Sequence, residues 1–256
     1  MNILGIIPAR MAATRFPNKP MALIQDMPMV EHIYHRSLLC NLIDEVYVAT
    51  CDHEIVDHIH KIKGKAVMTA DTHERATDRS AEALEKIEKE LNTTFDIVVM
   101  IQGDEPLITP EMLGQLTEAL INDPNAEVAN LVQLLESTEE INNPNNVKVV
   151  TDLNNMAIYF SREAIPSPSK YSKAFTTYKQ LGLIAFRREA LLDFIKLTPT
   201  NLEIIESVDM NRLIEHNRKI KMLPTDMITA AVDTPEDLIW VNEMMKNDVL
   251  LIKYQQ

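Results

Sequence analysis

The sequence predicts an α/β protein: a three-layer, mostly parallel sheet flanked by helices, with a small β-hairpin insertion. Three observations lead there. Short apolar runs alternate with helical patterns, as they do where helices cover both faces of a sheet. Two of the runs, Ile3 to Ile7 and Ile97 to Ile101, are apolar almost without interruption, which suits strands buried on both sides. The 256 residues, 46% of them hydrophobic, can also bury a full core as one large unit.

The elements follow in order. Ile3 to Ile7 contains one glycine and is stopped by Pro8. Helical periodicity marks Met29 to Leu39, Asp52 to Lys61, Asp78 to Glu90 and Pro110 to Asn122, separated by strand runs Glu45 to Thr50, Lys65 to Met68 and Ile97 to Ile101. Ala126 to Val132 adds another strand. Beyond it the alternation breaks. Asn146 to Val150 and Met156 to Arg162 read as neighbouring strands across an Asn154-Asn155 turn, and Tyr178 to Phe186 reads as a third. These form the hairpin-like insertion, near residues 147–186, and helices over Arg188 to Ile195 and Glu203 to His216 follow it. Glycine is scarce, five in all, and asparagine stands at turn positions such as Asn18 and Asn154-Asn155. Asparagine is the residue that tolerates the left-handed region best after glycine. No repeat, low-complexity tract or Pro/Ser-rich linker divides the chain, which reads as a single domain over 1–256.

Composition limits the function classes. With 25 Lys+Arg against 38 Asp+Glu the net charge is -13, the opposite of what a nucleic-acid partner or an anionic lipid surface selects. The first residues lack a basic stretch leading into a long apolar one, and no window approaches the roughly 18 uninterrupted apolar residues of a membrane span. Cys40 and Cys51 are too few for a disulfide framework and suit a reducing compartment, so the expected location is the cytoplasm. Cys51-Asp52-His53 reads as a strand end opening into a helix rather than as a thiol nucleophile. The histidines show no HExxH or Cys/His zinc spacing. His32 and His35 share a helical face and are expected to be half-exposed, His58 and His60 point different ways, and His73 alone falls near the candidate site.

Against the acidic balance, the segment from Met1 to Gln25 carries Arg10, Arg15 and Lys19 and no carboxylate. The three lie in one irregular stretch punctuated by Pro8, Pro17 and Pro20, so their heads can converge on one polyanion; arginine suits bidentate phosphate contact, and lysine acts as a point charge. The stretch matches neither the Gly-rich dinucleotide fingerprint nor the P-loop. The run Ile97 to Ile101 turns polar at Gln102-Gly103-Asp104-Glu105-Pro106, which places Asp104 beyond the carboxyl end of a strand, where ligands sit in open α/β sheets. By itself a GDEP turn is equally well a tight loop closed by glycine and proline. A second aspartate, Asp233, ends the apolar run at Ala230-Ala231-Val232. It can cap a following helix, although Thr234 serves that purpose at least as well. Cationic loop and paired carboxylates together point to a nucleoside triphosphate with a divalent metal, since magnesium near a triphosphate takes only one or two carboxylates from the protein.

The ordered motifs PARMAATRFPNKP, YVATCDHEI, MTADTHERATDRSAEA, IQGDEPLI, NNVKVVTDLNNMAIYFSREAIP and AAVDTPEDL resemble those of the cytidylyltransferases that make CMP-3-deoxy-manno-octulosonate, from Ile3 to about Val241. The resemblance implies a Rossmann-like nucleotidyltransferase sheet, a homodimer, and a reaction of CTP with a 2-keto-3-deoxy sugar acid that gives a CMP-sugar and pyrophosphate with Mg2+ present. It implies that Arg10, Lys19, Asp104 and Asp233 are catalytic. Arg10 and Lys19 would grip the triphosphate with help from Arg15, and Asp104 and Asp233 would hold magnesium. Pro8, Ala9 and Gln102 would read the cytosine edge together with the segment containing Arg75, Thr77 and Arg79, which can also be an ordinary helix entry capped by Thr77. Arg162, Gln180, Glu203, Glu206 and Asp209 would form the acceptor side. Arg162 is equally a surface arginine at a strand end, and the apolar strand at Ile158 to Phe160 can serve dimerisation or pack inside one subunit.

The sequence departs from the family's usual pattern at a few positions. Gln180 replaces a histidine, Asp209 a glutamate, Met210 a glutamine, and Ala13 a serine in the nucleotide loop. Because the first three fall in the acceptor half, they open an alternative: a sister cytidylyltransferase acting on a modified ulosonate or a small phosphonate. A non-catalytic nucleotide-binding module is a second alternative, against which the retention of both aspartates speaks.

Overall fold

The computed structural model describes residues 1–12, 16–167, 169–170 and 175–255; Ala13 and Arg15 lie outside them. Its centre is a nine-stranded sheet with the path β11-β7-β10-β6-β1-β4-β5. Here β1 is Ile3–Pro8, β4 Glu45–Thr50, β5 Ala66–Met68, β6 Ile97–Met100, β7 Val128–Leu135, β10 Thr177–Arg187 and β11 Ile220–Pro224. β1 pairs in parallel with β4 and β6, β4 with β5, and β7 with β11. β10 runs antiparallel to both of its neighbours, β6 and β7. Two further strands, β8 (Lys148–Thr151) and β9 (Ala157–Ser161), form a hairpin that hangs on the first half of β10. A separate two-stranded hairpin, β2 (Leu23–Ile24) with β3 (Met27–Pro28), turns through Gln25 and Asp26, both at positive φ.

Strand alternation sends side chains to two cores, one on each face. Ile3 and Ile7 of β1 join Val46, Val48 and Val99 against α1 (Met29–Leu38), α2 (His53–Lys61), α4 (Pro110–Asn122) and α9 (Pro235–Met245). Leu4 and Ile6 face the other way and meet Tyr47, Val98 and Met100 under α3 (Ala76–Leu91), α6 (Arg188–Phe194) and α8 (Met210–Glu215). The period of two on a strand thus produces the three layers directly. A short α5 (Thr138–Asn142) and α7 (Asn201–Glu206) complete the α-helices of the described residues, beside 3-10 turns at Lys19–Met21 and Leu251–Lys253. Several starts are written in local chemistry. Thr109 caps α4 by accepting from the Met112 N–H at 3.3 Å, with Pro110 in the first turn. Thr234, not Asp233, caps α9 in a reciprocal box with Asp237.

Most expected boundaries agree to within one or two residues, and Asn18 and Asn155 do take positive φ. Two expectations need correction. The helix from Glu203 to His216 is two short helices, because Ser207 adopts a left-handed conformation (φ 52°) and Val208 turns into the core. His32 is fully buried rather than half-exposed, with Nε2 2.7 Å from the Ile24 carbonyl and Nδ1 3.0 Å from the Tyr254 hydroxyl. A carbonyl can only accept, so Nε2 carries the proton. Burial lowers the pKa of this imidazole to about 4, so it is neutral in ordinary buffers.

Helices α7 and α8 are clamped by a buried bidentate pair. Arg212 Nε and Nη2 donate to the Glu203 carboxylate at 2.7 and 2.5 Å, and the guanidinium lies 4.3 Å from the Phe194 ring centre. Burial alone would raise the Glu203 pKa, but the Arg212 hydrogen bonds outweigh it and hold it below the usual range. Removing one member of such a pair strands a buried charge, at a cost of about 3–5 kcal/mol, whereas an apolar pair of similar volume is close to neutral. Urea unfolding should therefore find Arg212→Met strongly destabilised and the double variant Glu203→Leu/Arg212→Met largely restored. Equal losses in the two proteins would refute the account of this clamp.

Candidate active site

A cavity of about 300 Å³ opens beyond the carboxyl ends of β1 and β6, the edge at which α/β sheets bind ligands. Each wall comes from a different stretch of sequence. Pro8, Ala9 and Arg10 continue β1; Phe16, Lys19 and Pro20 belong to the loop after it; His73 to Ala76 and Arg79 form the entry to α3; Gln102, Gly103 and Asp104 follow β6; and Asp233 precedes α9. The first loop is tied down at its start. Ala9 N–H donates to the Ala49 carbonyl at 3.0 Å, and Met11 N–H to Asp52 Oδ2 at 2.8 Å. The turns after β1 and β6 then approach so closely that a Cβ on Gly103 would lie 2.6 Å from the Pro8 carbonyl oxygen, so this position excludes any side chain.

The charges of the cavity meet at Lys19. Its Nζ donates to Asp104 Oδ2 at 2.7 Å and to Asp233 Oδ1 at 3.2 Å, bridging two carboxylates that are 85 and 214 residues away from it in sequence. Backbone joins them as well, since Val232 N–H donates to the Asp104 carbonyl at 2.9 Å. Arg10 is exposed and faces the same space.

The entry to α3 is built around a buried cation. Arg79, 3% exposed, donates to the Thr69 hydroxyl and to the carbonyls of Ala70 and His73, so the loop over residues 69–75 wraps its guanidinium. Glu82 supports that loop from outside by accepting from Ala70 N–H at 2.9 Å and by pairing with His73 and Lys86. Burial pushes the Glu82 carboxyl up, but Lys86, the Ala70 N–H and His73 together hold it at about 2. Thr77 is not the cap of α3, which starts one residue earlier after Arg75; its buried hydroxyl donates to Asp209 Oδ2 at 3.0 Å instead. Arg75 reaches the other oxygen of Asp209 at 3.3 Å.

The five acceptor candidates lie outside the cavity wall. Asp209 reaches it through Arg75, whereas Thr77, its other partner, is not one of the residues of the cavity wall. Gln180 donates to Asn130 Oδ1 at 2.7 Å, and Asn130 in turn donates to the carbonyls of Leu181 and Leu183. Glu203 is held by Arg212. Glu206 accepts from Tyr159, Ser161 and the Arg162 N–H at 2.7–2.8 Å, while the Arg162 guanidinium donates to the carbonyls of Pro144, Glu206 and Ser207. Met210 packs in the core under α3 and α6, 1% exposed, so its thioether faces apolar neighbours.

Glu105 was not singled out from the sequence. It is 5% exposed and accepts from the Gly182 N–H at 2.9 Å and from the Thr229 hydroxyl at 3.1 Å. Burial, then the neighbouring Asp104, push its pKa up to about 7 against those two donors. The available signal was a glutamate set immediately before the apolar Pro106-Leu107-Ile108, a place where a charged side chain needs a buried partner.

The chain's matches agree with this geometry. A family model described as Cytidylyltransferase matches residues 4–220. The 3-deoxy-manno-octulosonate cytidylyltransferase of Geotalea daltonii is 40% identical over 96% of this chain and 99% of its own length. That of Fusobacterium nucleatum is 40% identical over 98% of this chain and 100% of its own. Among solved structures, a CMP:2-keto-3-deoxy-manno-octonic acid synthetase complexed with CTP superposes with a TM-score of 0.88 at 35% identity, covering 96% of this chain and 98% of that one. A putative glucose-1-phosphate thymidylyltransferase from Bacillus anthracis shares the fold, with a TM-score of 0.71 at 15% identity. On these grounds the chain is a nucleotidyltransferase and belongs to the cytidylyltransferase family, among the 3-deoxy-manno-octulosonate cytidylyltransferases.

Proposed function

We propose that this protein joins CTP to a 2-keto-3-deoxy sugar acid of the 3-deoxy-manno-octulosonate class, releasing pyrophosphate and a CMP-sugar. The observation that carries the reading is the convergence of Lys19, Asp104 and Asp233 on the cavity between the β1 and β6 turns. The acceptor's anomeric hydroxyl forms a bond to the α-phosphorus, the bond from that phosphorus to the bridging oxygen breaks, pyrophosphate leaves and the hydroxyl proton is released. Protein groups contribute position and charge rather than covalent chemistry. Arg10 and Lys19 take triphosphate oxygens. Gln102 and the backbone at Pro8 and Ala9 face the base, with the Arg75 to Arg79 segment closing the opposite wall.

The donor set fits magnesium. Two carboxylates already share one cation, the Lys19 ammonium, and a hard divalent ion accepts one or two such oxygens alongside those of a triphosphate. Asp104 and Asp233 would hold it, and when bound it would neutralise phosphate charge and polarise the α-phosphate. Among the described residues no three His, Cys, Asp or Glu side chains gather around one point, so a site of two aspartates completed by substrate oxygens is the one on offer. The Lys19 pairs are partly exposed and so contribute only about 1 kcal/mol or less each, which lets an incoming polyanion take the ammonium over.

Burial of Met210 and the engagement of Gln180 by Asn130 and of Asp209 by Thr77 and Arg75 favour an ordinary acceptor of this class over a modified one, because none of the three departures presents a new group to the cavity. A homodimer in the cytoplasm is the accompanying reading. It is supported by the exposed apolar side chains Ile158, Ile204 and Ile205 beside the hairpin, and among the described residues no helix is long and apolar enough to cross a membrane.

Incubation with each nucleoside triphosphate and a panel of acidic sugars, followed by mass identification of the product, should give a CMP-sugar from CTP and 3-deoxy-manno-octulosonate. Absence of any CMP-sugar, or a clear preference for another triphosphate, would overturn the reading. Asp104→Asn and Asp233→Asn should each lower kcat by about 100-fold or more while leaving the unfolding midpoint nearly unchanged; unaltered turnover removes the metal assignment. Lys19→Ala should reduce kcat/KM for CTP by roughly 10- to 100-fold, the value of one charged hydrogen bond at about 1.5–3 kcal/mol. An unchanged kcat/KM would take Lys19 out of the triphosphate site.

A further inference from the structure

The two proposed metal carboxylates stand on separate turns, and neither turn belongs to a regular element. Asp104 follows β6 and Asp233 ends the segment that leaves β11, so their mutual position depends on cross-links between those segments. The backbone bond from Val232 N–H to the Asp104 carbonyl is one link. The structure contains a second, built from a single side chain. Glu105 directly follows Asp104, and its two carboxylate oxygens face in different directions. Oε1 accepts from Gly182 N–H at 2.9 Å, on the irregular stretch of β10 between Gln180 and Ile184. Oε2 accepts from the Thr229 hydroxyl at 3.1 Å, four residues before Asp233.

Space around this junction is tight. A Cβ on Gly182 would fall 2.7 Å from Glu105 Oε1 and 2.1 Å from Gln102 Cγ. Glu105 is 5% exposed and is not among the cavity's lining residues, so it acts on the site through what it holds.

We propose that Glu105 is a positioning residue: by fastening the Asp104 turn to β10 and to the Thr229 segment, it sets the separation of Asp104 and Asp233 at which both can serve one divalent ion. The inference rests on the metal reading of those aspartates and is stated so that the two can fail separately. Its chemistry is that of the two ties rather than of a charge. A glutamine in the same place keeps both, since its carbonyl accepts from Gly182 and its amide donates to the threonine oxygen. Alanine keeps neither, and Thr229→Val removes one.

The test is binding of Mn2+ in the presence of CTP, followed by electron paramagnetic resonance, on the full chain, with pyrophosphate release and CTP affinity in the absence of metal measured beside it. Glu105→Ala should weaken Mn2+ about tenfold and lower kcat by a similar factor, in line with the cost of small misplacements at reacting centres, while metal-free CTP affinity stays within about twofold. Thr229→Val should weaken Mn2+ several-fold, and Glu105→Gln should bind it close to wild type. Wild-type Mn2+ affinity in both Glu105→Ala and Thr229→Val overturns the role of Glu105. So does a Glu105→Gln variant as weak as alanine, which would make charge and not attachment the cause. If Glu105→Ala does not fold, the Thr229→Val and Glu105→Gln results decide. A wild-type protein that binds no Mn2+ overturns the metal reading, and this inference with it, an outcome separate from the others.

Discussion

A lysine ammonium held between two aspartates is the contact on which the site depends. Without a cation, Asp104 and Asp233 would repel each other at the mouth of the cavity. Lys19 supplies that cation at 2.7 and 3.2 Å and so lets the carboxylates sit together in the unliganded protein. Ion pairs that keep partial contact with water are weak, worth about 1 kcal/mol or less. The arrangement is therefore preorganised without being locked: two carboxylates and an ammonium are gathered at one point by contacts weak enough to be exchanged. The rest of the fold can be understood as the apparatus that brings residues 19, 104 and 233 to one place.

That apparatus begins with the sheet. Parallel strands β1 and β6 end at the same edge, and their turns pack so closely that only glycine fits at residue 103. The antiparallel direction of β10 then matters. With Ile184 opposite Met100, the strand brings Gly182 alongside Gln102, where its N–H reaches Glu105. A parallel strand at this position would have presented its other end. Farther out, buried Arg36 donates to the Ile108 carbonyl at 3.0 Å and to the Tyr254 hydroxyl at 3.1 Å, and pairs with Asp248. The end of the turn that carries Asp104 is thereby attached to α1 and to the C-terminal segment.

Much of this was legible in the sequence, for identifiable reasons. Apolar runs that end in Pro8 and in Gln102-Gly103-Asp104 announced two central strands and the ends that line the cavity, because burial on both faces leaves no polar position to confuse the pattern. Asn155 could be placed in a turn because two strand runs flank it, and Asn18 because it stands in a proline-punctuated loop; both take positive φ. What escaped was decided by tertiary contacts. The break at Ser207 has no glycine or proline to mark it; it exists because Val208 gains burial by leaving the helix and because Asp209 then meets Thr77 and Arg75. His32 looked half-exposed on a helical face, yet the β2–β3 hairpin and Tyr254 cover it from outside that helix. Glu105 escaped for a related reason, since both of its partners lie more than 70 residues away.

The acceptor side follows the same division. Arg162, Glu203 and Glu206 lie in motifs that suggest substrate contact, but in this structure their polar atoms are taken up internally: Glu206 by β9 and the Arg162 N–H, Glu203 by Arg212, and the Arg162 guanidinium by backbone carbonyls. Such a lattice fixes the α7–α8 turn, and the turn carries Asp209, whose carboxylate divides its two oxygens between Thr77 and Arg75. Arg75 lines the cavity and also donates to the Ser207 hydroxyl at 3.2 Å, so the α7–α8 turn reaches the cavity wall through Arg75 and, beside it, through the Thr77 hydroxyl on Asp209. Buried position and specific hydrogen bonding at Asp209 make that connection directional: moving the α7–α8 turn must move Arg75 or leave a largely desolvated carboxylate without its partners, which is costly. Residues that hold the Asp209 turn therefore shape the cavity wall at one remove, through Arg75.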